Sequence, residues 1–227
     1  MAVTRKVFSA LTGGKNNEAI AGPLKIGYIP SHLKHPALSA EVAECIQEAM
    51  KVLKGAGSTF VEIDNAPFAA LEETFEDILL YEAWQVHSQQ VSSAPESYGP
   101  ETLRLLQAAA QVSESAYQKA LARRLELLPA ARALYNDIDL LLTPAAPYVA
   151  PSTTPPVDTP EGAAEGAFTG IFNITGDPAI VLPCGWSAAG LPIGVQLSSA
   201  LGSDNYLLAA AVYIEEVINC EVRAPAL

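Results

Sequence analysis

Phe168-Thr-Gly-Ile-Phe-Asn-Ile-Thr-Gly-Asp-Pro-Ala-Ile-Val-Leu-Pro-Cys-Gly-Trp-Ser187, followed by Gly190-Leu-Pro-Ile-Gly-Val-Gln196, is the stretch on which the fold turns. Gly176 ahead of Asp177-Pro178 permits a backbone geometry that residues with a Cβ resist, and Pro178 then opens an extended segment. Ala179 to Leu182 reads as one strand and Ile193 to Leu197 as another. Pro183 to Leu191, which contains Gly185 and Gly190, is short enough for a hairpin-like link, so the sheet that holds both strands is mixed. A short helix from Ala163 to Thr175 precedes the pair. A helix from Asp204 to Ile218 follows it, with Asp204 as its cap.

Working outward, Leu24 to Ile29 alternates as a short strand that Pro30 ends. Ser39 is placed to cap a helix in which Val42, Cys45, Ile46, Ala49, Met50 and Leu53 recur at helical spacing until Gly55 and Gly57. Ser58 to Ile63 then forms a second strand, and a β-α-β unit of this kind implies two parallel strands joined by a right-handed crossover. Residues 68–90 and 100–135 carry long helical patterns, and Pro129 is expected to divide the second of them. Asp139 to Thr143 is an apolar strand of the fully buried kind, and the proline-rich segment Pro144 to Pro160 is a long surface loop. The fold class that results is α/β, with a mixed, mostly parallel sheet flanked by helices. Residues 1–22 read as a residual helix, Val7 to Leu11, with a polar loop, and residues 23–227 as the main body.

The 227 residues carry 25 acidic against 13 basic side chains, a formal charge of −12, which repels phosphate backbones and anionic lipid. Nucleic acid and membrane are therefore poor partners, and no apolar run reaches the length of a bilayer span. Cys45, Cys184 and Cys220 are odd in number and widely spaced, so neither a disulfide framework nor a thiolate zinc site is expected. No export signal is expected at the N-terminus. The expected setting is the cytoplasm, with no metal and no cofactor.

Several residues resemble catalytic groups in isolation. Ser31-His-Leu-Lys34 has the bare Ser-x-x-Lys spacing, but it follows Pro30 in a loop and lacks companion motifs. Cys184 stands at a strand end without a neighbouring base in sequence and is expected to be a packed, inert thiol. His32, His35 and His87 lack the spacing of a helical zinc pair. Gly185-Trp-Ser-Ala-Ala-Gly190 has one residue too many for a nucleophile elbow and leads into a strand.

From about Pro23 onward the chain resembles the amidase-signature hydrolases. Gly22-Pro-Leu-Lys-Ile-Gly-Tyr28, Asp137-Ile-Asp-Leu-Leu-Leu-Thr-Pro-Ala-Ala-Pro147, Asn173-Ile-Thr-Gly-Asp-Pro-Ala-Ile-Val-Leu-Pro183, Gly190-Leu-Pro-Ile-Gly-Val-Gln196 and Ser203-Asp-Asn-Tyr-Leu-Leu208 occur in that family's order, and they resemble its C-terminal portion. The resemblance implies hydrolysis of non-peptide amide bonds. It places Thr143, Phe168, Phe172, Asn173 and Asp177 near a small amide substrate, while a packing and turn role for the same residues stays open beside it. Family members attack the amide with a Ser activated through a second Ser and a Lys, set in a Gly-Gly-Ser-Ser-Gly-Gly-Ser type segment. No such segment occurs in this sequence, so no catalytic residue is assigned. Val7 to Gly14 resembles the helix that follows that segment. Three readings result: a member inactive alone, a non-catalytic binding or assembly subunit, or half of a split amidase completed by another chain. Homo-oligomers are expected as well, because half of a larger sheet exposes a strand edge.

Overall fold

The computed structural model describes residues 1–14, 20 and 22–220. In chain order the elements are helix α1 (Ala2–Thr12), strand β1 (Lys25–Tyr28), helix α2 (Ala40–Gly55), strand β2 (Thr59–Glu62) and helices α3 (Ala66–Glu72), α4 (Phe75–Ser93), α5 (Pro100–Ala109) and α6 (Glu114–Ala133). Strand β3 (Leu140–Pro144) follows, then short helices α7 (Pro160–Ala164) and α8 (Gly170–Thr175), strands β4 (Ala179–Trp186) and β5 (Pro192–Ser198), and helix α9 (Asp204–Ile218).

The strands form one sheet in the order β2-β1-β3-β5-β4. β1 pairs in parallel with β2 and β3, whereas β5 runs antiparallel to both β3 and β4. The sheet is therefore mixed, its pairings divided evenly between the two kinds. The β-α-β unit gives β1–β2 and the hairpin gives β4–β5, and β3 joins the two parts, parallel to β1 and antiparallel to β5. Side-chain alternation sends the two faces of the sheet to two cores. Ile26, Leu140, Leu142, Val195 and Leu197 meet Ile46 and Leu53 of α2 and Leu207 and Ile214 of α9. Ile29 and Leu141 point the other way, toward Phe68, Leu71, Leu128 and Phe172 on α3, α6 and α8. Gly27, on that second face, leaves the space that Ile138 and Ile63 fill: a Cβ there would lie 2.6 Å from Ile138 Cδ1.

Ser39 caps α2, its Oγ accepting from Val42 N at 3.4 Å. Other local expectations are corrected. Pro129 lies inside α6 and does not divide it. The break falls ahead of Ser113, whose Oγ accepts from Ala116 N at 3.1 Å and starts the helix. The proline leaves the carbonyl four residues back without its helical donor, and Leu125 at that position is 65% exposed, so water can reach it. The helix expected over 163–175 is two short ones, and Thr159 caps the first by accepting from Gly162 N at 3.1 Å. Ser203, not Asp204, occupies the N-cap of α9, and Asp204 sits in the first turn. β4 runs four residues past Leu182 because a bulge between Pro183 and Gly185 absorbs the irregular backbone. α1 also extends beyond Val7 to Leu11, and it is tied to α9 by the Met1 ammonium and Glu215 Oε2 at 2.7 Å.

Candidate functional site

The carboxyl ends of β1, β2 and β3 open toward the α7–α8 segment, the place where open α/β sheets accept ligands. Here Gln196 of β5 is buried, and its Nε2 donates to Thr143 Oγ1 at 2.9 Å and to the Phe168 carbonyl at 2.8 Å. One amide thereby fastens the end of β3 to the chain just ahead of α8. A hydrogen bond of this kind, with all partners buried, holds its groups in register because an unmade bond there would leave a costly orphan. The ring of Phe168 lies 5.3 Å from that of His32 and 5.4 Å from that of His35, measured between centroids.

Beside these rings is a cavity of about 400 Å³. The turn after β1 supplies Ser31, His32 and His35, and α3 contributes Asn65 at its start and Glu72 at its end. Phe75, Phe168 and Ile171 give the apolar part. Burial lowers the His32 pKa from 6.5 to about 4; the Asn65 side chain opposes the shift, and His35 adds to it. His32 is thus neutral near pH 7. Neither His32 Nδ1 nor Asn65 Oδ1 has a hydrogen-bond partner of adequate geometry. His35 Nδ1 accepts from Ala37 N at 3.2 Å, which leaves the proton of the neutral ring on Nε2.

The five residues expected at the substrate are not gathered in one place. Thr143 and Phe168 converge through Gln196. Phe172 is directed into the second core, its ring 6.4 Å from that of Phe68. Asn173 is exposed. Asp177 is buried elsewhere, under the end of β5, where Tyr135 Oη and Ser198 Oγ lie 2.8 Å apart. Its carboxyl oxygens lack hydrogen-bond partners, and burial raises its pKa against the weaker opposing influence of Thr175 and Arg132. Gln196 was missed as a site residue; the available signal was a polar residue at an inward position of a buried strand.

The isolated catalytic look-alikes stay apart. Ser31 and Lys34 meet through the backbone, Lys34 N donating to Ser31 O at 3.2 Å in a single 3₁₀ turn. Cys184 Sγ is 3.5 Å from Cys45 Sγ, a contact that the wide sequence spacing concealed. Burial, first among several influences, pushes the Cys184 thiol far up, and burial also raises that of Cys45. Such thiols are poor nucleophiles. Among the described residues no group of three His, Cys, Asp or Glu side chains is arranged to hold a metal ion, and no helix is long and apolar enough to cross a membrane.

The architecture, an α/β sheet whose parallel strands end at a polar and aromatic cavity, matches a known class of hydrolase. The sequence model of the Amidase family matches residues 9–208, and the chain belongs to that family. AmiD of Mycobacterium tuberculosis (strain ATCC 25618 / H37Rv), named as an amidase, is 28% identical over 143 residues, covering 61% of this chain and 30% of its own length. A glutamyl-tRNA(Gln) amidotransferase chain of Alkaliphilus metalliredigens (strain QYMF) is 27% identical over 230 residues, covering 89% of this chain and 46% of its own. Among solved structures, an amidase crystal structure superposes with a TM-score of 0.78 at 24% identity over 93% of this chain and 50% of that one. The chain thus spans less than half the length of these two curated relatives.

Proposed function

We propose that this chain forms the substrate-holding part of an amide-hydrolysing site, and that the attacking Ser, the bridging Ser and the Lys are supplied by residues outside this sequence. The observation that carries the reading is the Gln196 amide joining Thr143 to Phe168 at the cavity edge. Thr143 and Phe168 form the substrate-side wall, and Phe172 supports it from the core. Asp177 lies outside that wall, buried at the turn into β4, and Asn173 faces solvent where a completing partner can reach it. The substrate class is a small non-peptide amide, handled in the cytoplasm.

A split or incomplete enzyme of this kind loses most of its acceleration when the attacking residue is absent, because the catalytic groups act as one unit. The test is hydrolysis of benzamide and hexanamide by the purified chain, alone and mixed with a separately expressed amidase half that carries the Ser-Ser-Lys segment. Turnover is expected only in the mixture. Turnover by the chain alone that Cys184→Ala or Ser31→Ala abolishes refutes the proposal.

A further inference from the structure

The cavity next to Phe168 has an uneven chemistry that the amide reading does not use. Its volume of about 400 Å³ suits a small ligand. Glu72 is the one residue with a formal charge among its lining, and no Lys or Arg lines it. Arg124, the cation of α6 that approaches this segment, donates its Nε to the Ile174 carbonyl at 2.6 Å. Among the described residues the Glu72 side chain, exposed at the rim of the cavity, has no hydrogen bond and no ion pair within the protein, and partial desolvation raises its pKa. It also ends α3, where the backbone carbonyls already point outward and a second negative group is unfavourable. His32 contributes no positive charge near neutral pH. In the same lining, Phe75, Phe168 and Ile171 offer an apolar and aromatic surface to which a cation with a hydrocarbon body is suited.

We propose that this cavity binds a primary ammonium group carried on an aromatic or aliphatic body, with the Glu72 carboxylate as its counter-charge and Phe75, Phe168 and Ile171 against the body. The proposal builds on the amide reading: hydrolysis of a substituted amide releases an amine, and Phe168 belongs both to this cavity and to the Gln196 link. A bound ammonium replaces water at this exposed carboxylate with a charge-assisted hydrogen bond, the strong kind.

Three probes with the same carbon skeleton isolate the charge: 2-phenylethylamine, 2-phenylethanol and phenylacetate. Calorimetric titration of the chain at pH 7.5 and low salt should give a Kd for the amine about tenfold below those of the other two. Glu72→Gln, a change at an exposed position that leaves the fold intact, should erase that preference while the weak binding of the alcohol persists. Phenylacetate binding as tightly as the amine overturns the proposal. So does an amine affinity that Glu72→Gln leaves unchanged, or no binding of any probe at millimolar concentration. Because the titration needs no turnover, it fails or succeeds independently of the mixed-chain hydrolysis assay. A chain that gains activity on completion yet ignores amines sinks only the ammonium site.

Discussion

His32 and Asp177 are both buried titratable groups, and their pH effects run in opposite directions. The pKa of His32 is lowered on folding from 6.5 to about 4, so its contribution to stability is fully present above pH 6.5 and is lost as pH falls through about 4. The contribution is on the order of 3 kcal/mol. Urea unfolding at pH 7 and pH 4 should show a loss of that size in the parent chain and a markedly smaller one in His32→Gln; equal losses in the two would mean the ring does not titrate as argued. Asp177 behaves in the opposite sense. Its folded pKa is raised above 3.8, so its stabilisation is complete below that pH and disappears as pH rises through the folded value. Ionising this carboxyl places a buried charge with no hydrogen-bond partner, and Asp177→Asn should stabilise the chain at neutral pH by about 1 kcal/mol. A lower Tm for Asp177→Asn at pH 7 would show instead that Arg132 or Thr175 holds the carboxylate. Neither group was legible beforehand. Asp177 reads from sequence as a turn residue beside Pro178, and His32 as part of a polar loop, because burial by Phe168 depends on a chain segment more than a hundred positions away.

At the scale of elements, the strands and the long helices were legible wherever one physical signal dominated. Ser39 with the apolar repeat from Val42 to Leu53 gave α2 and its cap, and Leu140 to Leu142 gave a strand buried on both faces. Errors arose where a local rule met tertiary context. Pro129 looked like a boundary, yet exposure on the turn before it lets solvent serve the abandoned carbonyl. The Ala163–Thr175 pattern looked continuous, yet it breaks around Gly166 to place the Phe168 carbonyl within reach of Gln196. The meeting of Cys45 with Cys184 needed the packing of α2 on β4, which no spacing encodes. Gly27 shows what close approach demands of an element. A Cβ at this position would also lie 2.8 Å from Ile63 Cγ1, so Gly27→Ala forces two isoleucines out of their rotamers at the centre of the sheet. A destabilisation of about 2 kcal/mol is expected, measured as a shift in the urea midpoint with an unchanged m value. Gly55→Ala, where a Cβ meets open space, is the matched control and should be neutral or slightly stabilising.

For the whole molecule, the sheet order leaves β4 paired on one side only, so the outward backbone groups on alternate residues of this strand have no strand partner among the described elements. Val181, the third residue of that strand, is 47% exposed, and Leu201 just beyond the sheet is 52% exposed. An apolar edge of this length recruits another strand unless a charge, a proline or a cover blunts it. Pro183 and the bulge that follows it blunt the second half of β4, which leaves Ala179 to Leu182 as its open stretch. Relatives twice as long have further chain available to cover such an edge, which fits the proposal that this chain works with a completing partner. In isolation the edge should pair with a second copy. Sedimentation velocity across the micromolar range is expected to show concentration-dependent association. Val181→Lys, which puts a charge on the exposed face while keeping an aliphatic stem over Gly194, should shift the population toward monomer without lowering the Tm. Monomer at every concentration in the parent chain would mean that the edge is already protected, and it would remove the structural motive for a partner strand. If instead the mixed-chain amidase assay gives turnover and Val181→Lys abolishes it, the same edge is where the completing half joins the sheet.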